Sequence, residues 1–200
     1  MTGDTDEIFR EPLVLTIPAG RVTTLETSSL PAITNGRYGI LVTSITDDFV
    51  TSVDDSSVEF VVVEQVLTRK VEKSTGTTVT FGTPSGSPSR VWTIPSGVTA
   101  VGGSLIIVNA TSLASTLKIS TVGPAGAVAI EGFETVQLGS AAVLEVKVPP
   151  TAGLLQILVE SDNEIVVQRE ITRGHDLVGF SSVPGLPYRS AGITNTQGGK

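Results

Sequence analysis

The sequence predicts an all-β fold, an antiparallel β-sandwich organised as one complete module and a half repeat. Three observations carry this. Apolar side chains recur with a period of two in short runs, proline and glycine break those runs at short intervals, and one nine-residue stretch is written twice. No segment reads as a long amphipathic helix, because Val, Thr, Ser and Gly dominate where a helix would need Ala, Leu, Glu and Lys.

The strands follow in chain order. "LVLTI" places Leu13, Leu15 and Ile17 on one face of a strand. "LTIPAGRVTTL" then reads as strand, small-residue turn and strand. A proline loop, "LPAITNGRYG", leads to a central strand at Ile40 to Val42, and "VVVEQVLTR" closes the series at Arg69. Further strands are expected at "TVTFG", "RVWTI", "SLIIVNA", "STLKIS" (alternating through Leu117 and Ile119) and "AVAI". "GPAG", Gly123 to Gly126, reads as a hairpin turn; it lacks the helix and lysine that a phosphate loop requires. "AVLEVKV" alternates through Leu144, Val146 and Val148. "SLIIV" and "LLQILV" are near-continuous apolar runs, as expected of central strands covered on both faces.

The order of landmarks then repeats. "VQLGSAAVLEV" parallels "LTIPAGRVTTL", "VPP" stands for the first proline loop, "ILV" recurs at Ile157 to Val159, and "IVVQREITR" ends at Arg173 as "VVVEQVLTR" ends at Arg69. A shared order of landmarks indicates duplicated modules, each with its own core. Residues 1–11 then form an N-terminal arm, 12–73 a partial repeat, 74–175 a complete repeat and 176–200 a C-terminal tail in which "SAGITNTQGGK" has too few apolar residues to order itself. In the second copy Gln168 and Glu170 should face water, which sends Ile165 and Val167 inward before the pattern shifts near Arg169. By alignment, Val61 and Val63 point inward in the first copy.

Composition sets limits on function. With 40% apolar and 16% charged residues, the 200-residue chain can bury a core and is not mainly disordered. A net charge of -7 argues against an electrostatic grip on nucleic acid or an anionic membrane. The chain contains no cysteine, so disulfides, thiol catalysis and zinc–thiolate sites are excluded. No apolar run approaches the roughly 20 residues that span a bilayer, and "MTGDTDEIFREP" lacks the basic end and apolar stretch of a secretory signal.

Few residues offer chemistry. The single histidine, His175, sits beside Asp176 in "TRGHDLVG", but no nucleophile elbow accompanies it, and an exposed turn histidine is the simpler reading. Asp47, Asp48, Asp54 and Asp55 share one loop without the spacing of a calcium-binding loop, and read as a solvated acidic segment. Asn109 opens "NAT", formally a glycosylation acceptor, at a strand end where Asn favours a turn. Arg69 and Arg173 close the two copies and suggest a repeated structural task. Trp92, the one tryptophan, reads as core rather than as a sugar-stacking platform. No catalytic, cofactor-binding or metal-binding residue is assigned, and no cofactor is expected.

The order Trp92 to Pro95, "SLIIVNATS", "STLKIS", "VPP", "ILVESDNEIVVQREITRG" and "PGLP" (Pro184 to Pro187) resembles the immunoglobulin-like repeat domains of uncharacterised secreted or membrane-anchored actinobacterial proteins. The likeness covers about 74–190, with 12–73 as a half repeat. Its matching points are Asn109, the "ILVESDNEIVVQRE" hairpin from Ile157 to Glu170, and "PGLP". The resemblance implies an extracellular or cell-surface location and no catalytic residues. The expected function is a non-enzymatic spacer or interaction surface for protein or glycan, with self-association possible and no membrane insertion by this segment. A structural subunit of a virion, phage tail or surface layer is the alternative, and an accessory domain of a hydrolase the third reading.

Overall fold

The structure, a computed structural model, describes residues 13–18, 20–29, 39–43, 61–83, 88–95, 103–148, 156–172 and 180–188. Eleven strands and one turn of 3₁₀ helix, Thr27–Ser29, are formed among them, and every strand pairing is antiparallel. The protein is an all-β sandwich, as its period-two runs predict.

Two strands form a separate ribbon: β1 (Glu64–Val71) and β2 (Ser74–Phe81), in register from Glu64 opposite Phe81 to Val71 opposite Ser74. The other nine are β3 (Ser89–Ile94), β4 (Gly103–Val108), β5 (Ser115–Gly123), β6 (Gly126–Ala129), β7 (Val136–Leu138), β8 (Val143–Val148), β9 (Gln156–Thr172), β10 (Phe180–Pro184) and β11 (Leu186–Pro187). They form two layers that share β9. Its first half pairs with β3 and β5, which carry β11, β6 and β7; its second half pairs with β4 and β10, and β4 carries β8. Strands that switch sheets in this way make the corners of sandwiches.

The core lies between the layers. Trp92, Ile94, Leu117, Ile119, Ile157 and Val159 come from one, and Leu105, Ile107, Val146, Ile165 and Val167 from the other; all are buried. Leu117 and Ile119, and Leu144, Val146 and Val148, keep the predicted alternation, with Leu144 and Val148 packed at the margin. Along β9 the odd-numbered phase faces inward throughout, and this bears out the inward placement of Ile165 and Val167. The pattern does not shift at Arg169, which stays inward and is buried.

Further expectations need correction, among them the central strand at Ile40 to Val42, residues that are exposed and form no strand. The segment Ile157 to Glu170 is no hairpin but one continuous strand of 17 residues. Asp162 and Asn163, which suggest a turn, bond through their side chains to Thr116 and Ala114 across the sheet. "LVLTI" forms no strand in the described stretch 13–18, because a period-two pattern sets two faces but a strand also needs a hydrogen-bonding neighbour. Val61 and Val63 do not point into a core; they are 48% and 37% exposed, at the entry to the ribbon. Among the described residues the buried apolar cluster belongs wholly to the sandwich, from Trp92 to Val167.

The ladders also locate the module in the chain. The position between Lys73 and Ser74 falls in the turn joining β1 to β2. Residues 180–187 pair with β9 and β3 as part of the sandwich. At Gly185 the chain crosses from one layer to the other, its N–H donating to the Val167 carbonyl at 2.9 Å. A Cβ there would lie 2.9 Å from Trp92 Cε3 and 3.1 Å from Val167 O, so "PGLP" is a close crossing over the tryptophan that only glycine fits.

Candidate functional site

Where β9 passes between layers it must leave β5, and its side chains extend the ladder. The backbone ladder runs from Val122 opposite Gln156 to Leu117 opposite Ser161. Beyond it the Thr116 N–H donates to Asp162 Oδ1 at 2.8 Å, and Asn163 Nδ2 donates to the Ala114 carbonyl at 2.8 Å. The Thr116 amide holds the exposed Asp162 carboxyl below its ordinary range. Lys118 and Glu160, directly opposed in the ladder, approach to 3.9 Å. Thr116, Lys118, Glu134, Glu160 and Asp162 line a shallow groove of about 320 Å³. Lys118 and Glu160 pair across it and the Thr116 amide holds Asp162, an arrangement that holds a corner and offers no enclosed site.

On the other side of β9, β3 separates from it between Ser89 and Val91. Trp92 fills that gap. Its Nε1–H lies 2.9 Å from both the Ser89 and the Ile165 carbonyls, which satisfies the indole inside the core. The tryptophan is structural, as the sequence reading holds.

Asn109 is also a structural residue. It is fully buried, with Nδ2 donating to Leu113 O at 2.7 Å and Gly139 O at 2.8 Å. Its Oδ1 accepts from the Thr111 N–H at 3.0 Å and from Thr111 Oγ1 at 2.7 Å. Both amide hydrogens are engaged, so in the folded protein the side chain ties the turn after β4 to the turn before β8 and has none free for a glycan.

Arg169 places a guanidinium at the end of the core stripe formed by Ile165 and Val167. Nη1 donates to the Pro95 carbonyl at 2.9 Å, Nε is buried without a partner, and burial lowers its pKa from the ordinary value. Arg69 is exposed on β1. Arg173, His175, Asp176 and the loop carrying Asp47, Asp48, Asp54 and Asp55 lie outside the described residues. Among the described residues no three acidic or histidine side chains gather as a metal site, and no helix is long and apolar enough to cross a membrane.

The feature that the sequence reading misses is the ribbon. Its faces differ: Gln65, Leu67, Thr78 and Thr80 are half-buried or buried, while the opposite face is exposed. On that open face Val66 and Val79 stand directly opposite one another at 56% and 50% exposure, and Phe81, two residues on, is 66% exposed. The available signal was the spacing of Val79 and Phe81 against Val66 across a two-residue turn.

No family model matches this sequence, and no curated protein does. A solved structure titled "Crystal Structure of Thermotoga maritima 1070" is similar, at 17% identity and a TM-score of 0.42, over 50% of this chain and 96% of that one.

Proposed function

We propose that this chain is a non-enzymatic β-sandwich module of the cell envelope or extracellular space whose working part is an interaction surface for protein. The observation that carries the reading is the β1–β2 ribbon, which presents Val66, Val79 and Phe81 to solvent while Gln65, Leu67, Thr78 and Thr80 on its other face are half-buried or buried. Neighbouring apolar side chains on an open sheet face mark contact sites, and a two-stranded ribbon is marginally stable until something packs on it. The envelope location and the immunoglobulin-like character rest on the resemblance of residues 74–190 described above. A structural subunit of a virion, tail or surface layer is the second reading, and the same ribbon favours it, since open strand edges join repeating subunits.

The test places a photo-crosslinking side chain at Val79 and, as a control, at Val128 on β6 of the sandwich, which is also exposed. In the native host, discrete protein adducts are expected from position 79 and not from 128. Equal, diffuse labelling from both positions overturns the reading.

A further inference from the structure

The outer edge of β1, unpaired among the described residues, is complementary to itself. The Gly82 N–H donates to the Val63 carbonyl at 2.8 Å, in the same register as the rest of the ribbon. Opposed residues in an antiparallel ladder alternate between bonded and non-bonded pairs. Gln65, Leu67 and Arg69 therefore bond to β2, and the N–H and C=O groups of Glu64, Val66, Thr68 and Lys70 point away from it. Among the described residues nothing pairs with that edge. It is an eight-residue strand without proline, with Glu64 at its start and Arg69 and Lys70 near its end.

We propose that β1 pairs antiparallel with β1 of a second copy of this chain about a two-fold axis at Leu67, giving a four-stranded sheet β2–β1–β1–β2. This rests on the reading of the ribbon as the interaction surface and names its occupant.

Charge selects the register. Only outward-pointing residues can exchange backbone bonds with a second copy, so the alternatives differ in steps of two residues. With Leu67 on the axis, Glu64 stands opposite Lys70 of the partner subunit, twice by symmetry, and Gln65 stands opposite Arg69 of the partner subunit. Sliding the copies one way sets Glu64 against Thr68 of the partner subunit and Val62 against the partner's Lys70. Sliding them the other way sets Glu64 against Glu72 of the partner subunit. Opposite charges directly across a ladder stabilise and like charges destabilise, so the Leu67 register wins. A two-fold axis normal to the sheet keeps equivalent faces on the same side, and Val66, Val79 and Phe81 of both copies then form one apolar surface. Such an isologous contact closes as a dimer.

The experiment is sedimentation equilibrium of the full chain, with Trp92 fluorescence reporting that each variant is folded. The unaltered chain is expected to dimerise. Thr68→Pro removes an outward N–H that β2 does not use and should leave a folded monomer. Glu64→Lys alone and Lys70→Glu alone each replace two opposite-charge pairs with like-charge pairs, and each should weaken the dimer by about tenfold or more. Mixing those two variants restores opposite charges at both positions and should restore association as a heterodimer. A chain that is monomeric throughout, or a dimer indifferent to Thr68→Pro and to the charge variants, overturns the proposal. A monomer whose position 79 still crosslinks to a different protein overturns this inference while leaving the interaction reading standing; loss of both results overturns both.

Discussion

Replacing Asn109 by alanine should be among the most damaging single changes that leaves the apolar core untouched. The side chain is fully buried and makes four hydrogen bonds, to Leu113 O, Gly139 O, the Thr111 N–H and Thr111 Oγ1. Alanine removes all four. The Leu113 carbonyl is near solvent and still accepts from Thr111 Oγ1 at 3.1 Å, so little is lost there. The Gly139 carbonyl and Thr111 N–H are partly buried, and each is left without its side-chain partner. A lost hydrogen bond costs about 0.5–1.5 kcal/mol, and an orphaned buried group about 1–3 kcal/mol. The sum is about 2–4 kcal/mol. For a domain of this size each kcal/mol moves Tm by roughly 4–8 °C, which predicts a fall of about 8–32 °C. Thermal unfolding followed by fluorescence reads this directly, because Trp92 is the only tryptophan and is buried in the same core. Asn109→Asp keeps the acceptor but turns both donors into charge facing two carbonyls, so it should be worse at neutral pH than in acid. An Asn109→Ala protein within about 0.5 kcal/mol of the parent, the range of an ordinary surface change, would refute the assignment of Asn109 as the tie between these turns.

Other perturbations have equally definite outcomes. Val167→Ala empties part of a fully buried site and should cost about 1–3 kcal/mol in chemical denaturation, whereas Val63→Ala, at an exposed site, should cost about 0.5 kcal/mol or less; equal losses would return Val63 to a core. Gly185→Ala sets a Cβ against Trp92 and the Val167 carbonyl and should cost about 1–3 kcal/mol, with a shifted tryptophan emission in the folded state. Arg169→Met replaces a buried cation that has no acidic partner among the described residues by an apolar chain of similar length, and should leave stability unchanged or raise it; a loss above about 2 kcal/mol would show that the guanidinium carries more than the Pro95 contact. Asp162 has a folded pKa below its unfolded one, so its contribution is present above the ordinary carboxylate pKa and is lost as pH falls through the folded value. Asp162→Asn should therefore flatten the acid limb of the stability–pH curve, and an unchanged limb would remove Asp162 from the corner.

How far the sequence reaches is clearest in β9. Alternation places Ile165 and Val167 inward correctly, because side-chain direction is a local property of an extended backbone. Continuity through Ser161, Asp162 and Asn163 is not local. The same three residues are good turn formers, and what holds the strand extended there is the bonding of the Asp162 and Asn163 side chains to Thr116 and Ala114, more than forty positions away. Arg169 fails for a related reason: hydropathy puts an arginine outside, while its acceptor, the Pro95 carbonyl, is supplied by the end of another strand. Asn109 reads as a turn from its own identity, but the Gly139 carbonyl that makes it a tie between two turns is invisible in "NAT".

The duplicated nonamer brings these limits together. Val166 and Val167 have Val62 and Val63 as counterparts, yet Val167 is fully buried and Val62 and Val63 are exposed. The strand sequence is nearly the same; the neighbours are not. Residues 166–172 lie between β4 and β10 with a second layer over one face. Among the described residues, 64–71 pair with β2 alone. A β-strand carries the pattern of two faces in its sequence, but burial and edge pairing are supplied by whatever lies beside it. An unpaired copy of a strand that elsewhere has neighbours on both sides retains the capacity for a second neighbour. That capacity, with Glu64 and Lys70 spaced to meet their counterparts across a two-fold axis, is why the ribbon and not the groove above Asp162 is where this chain's interactions should be sought.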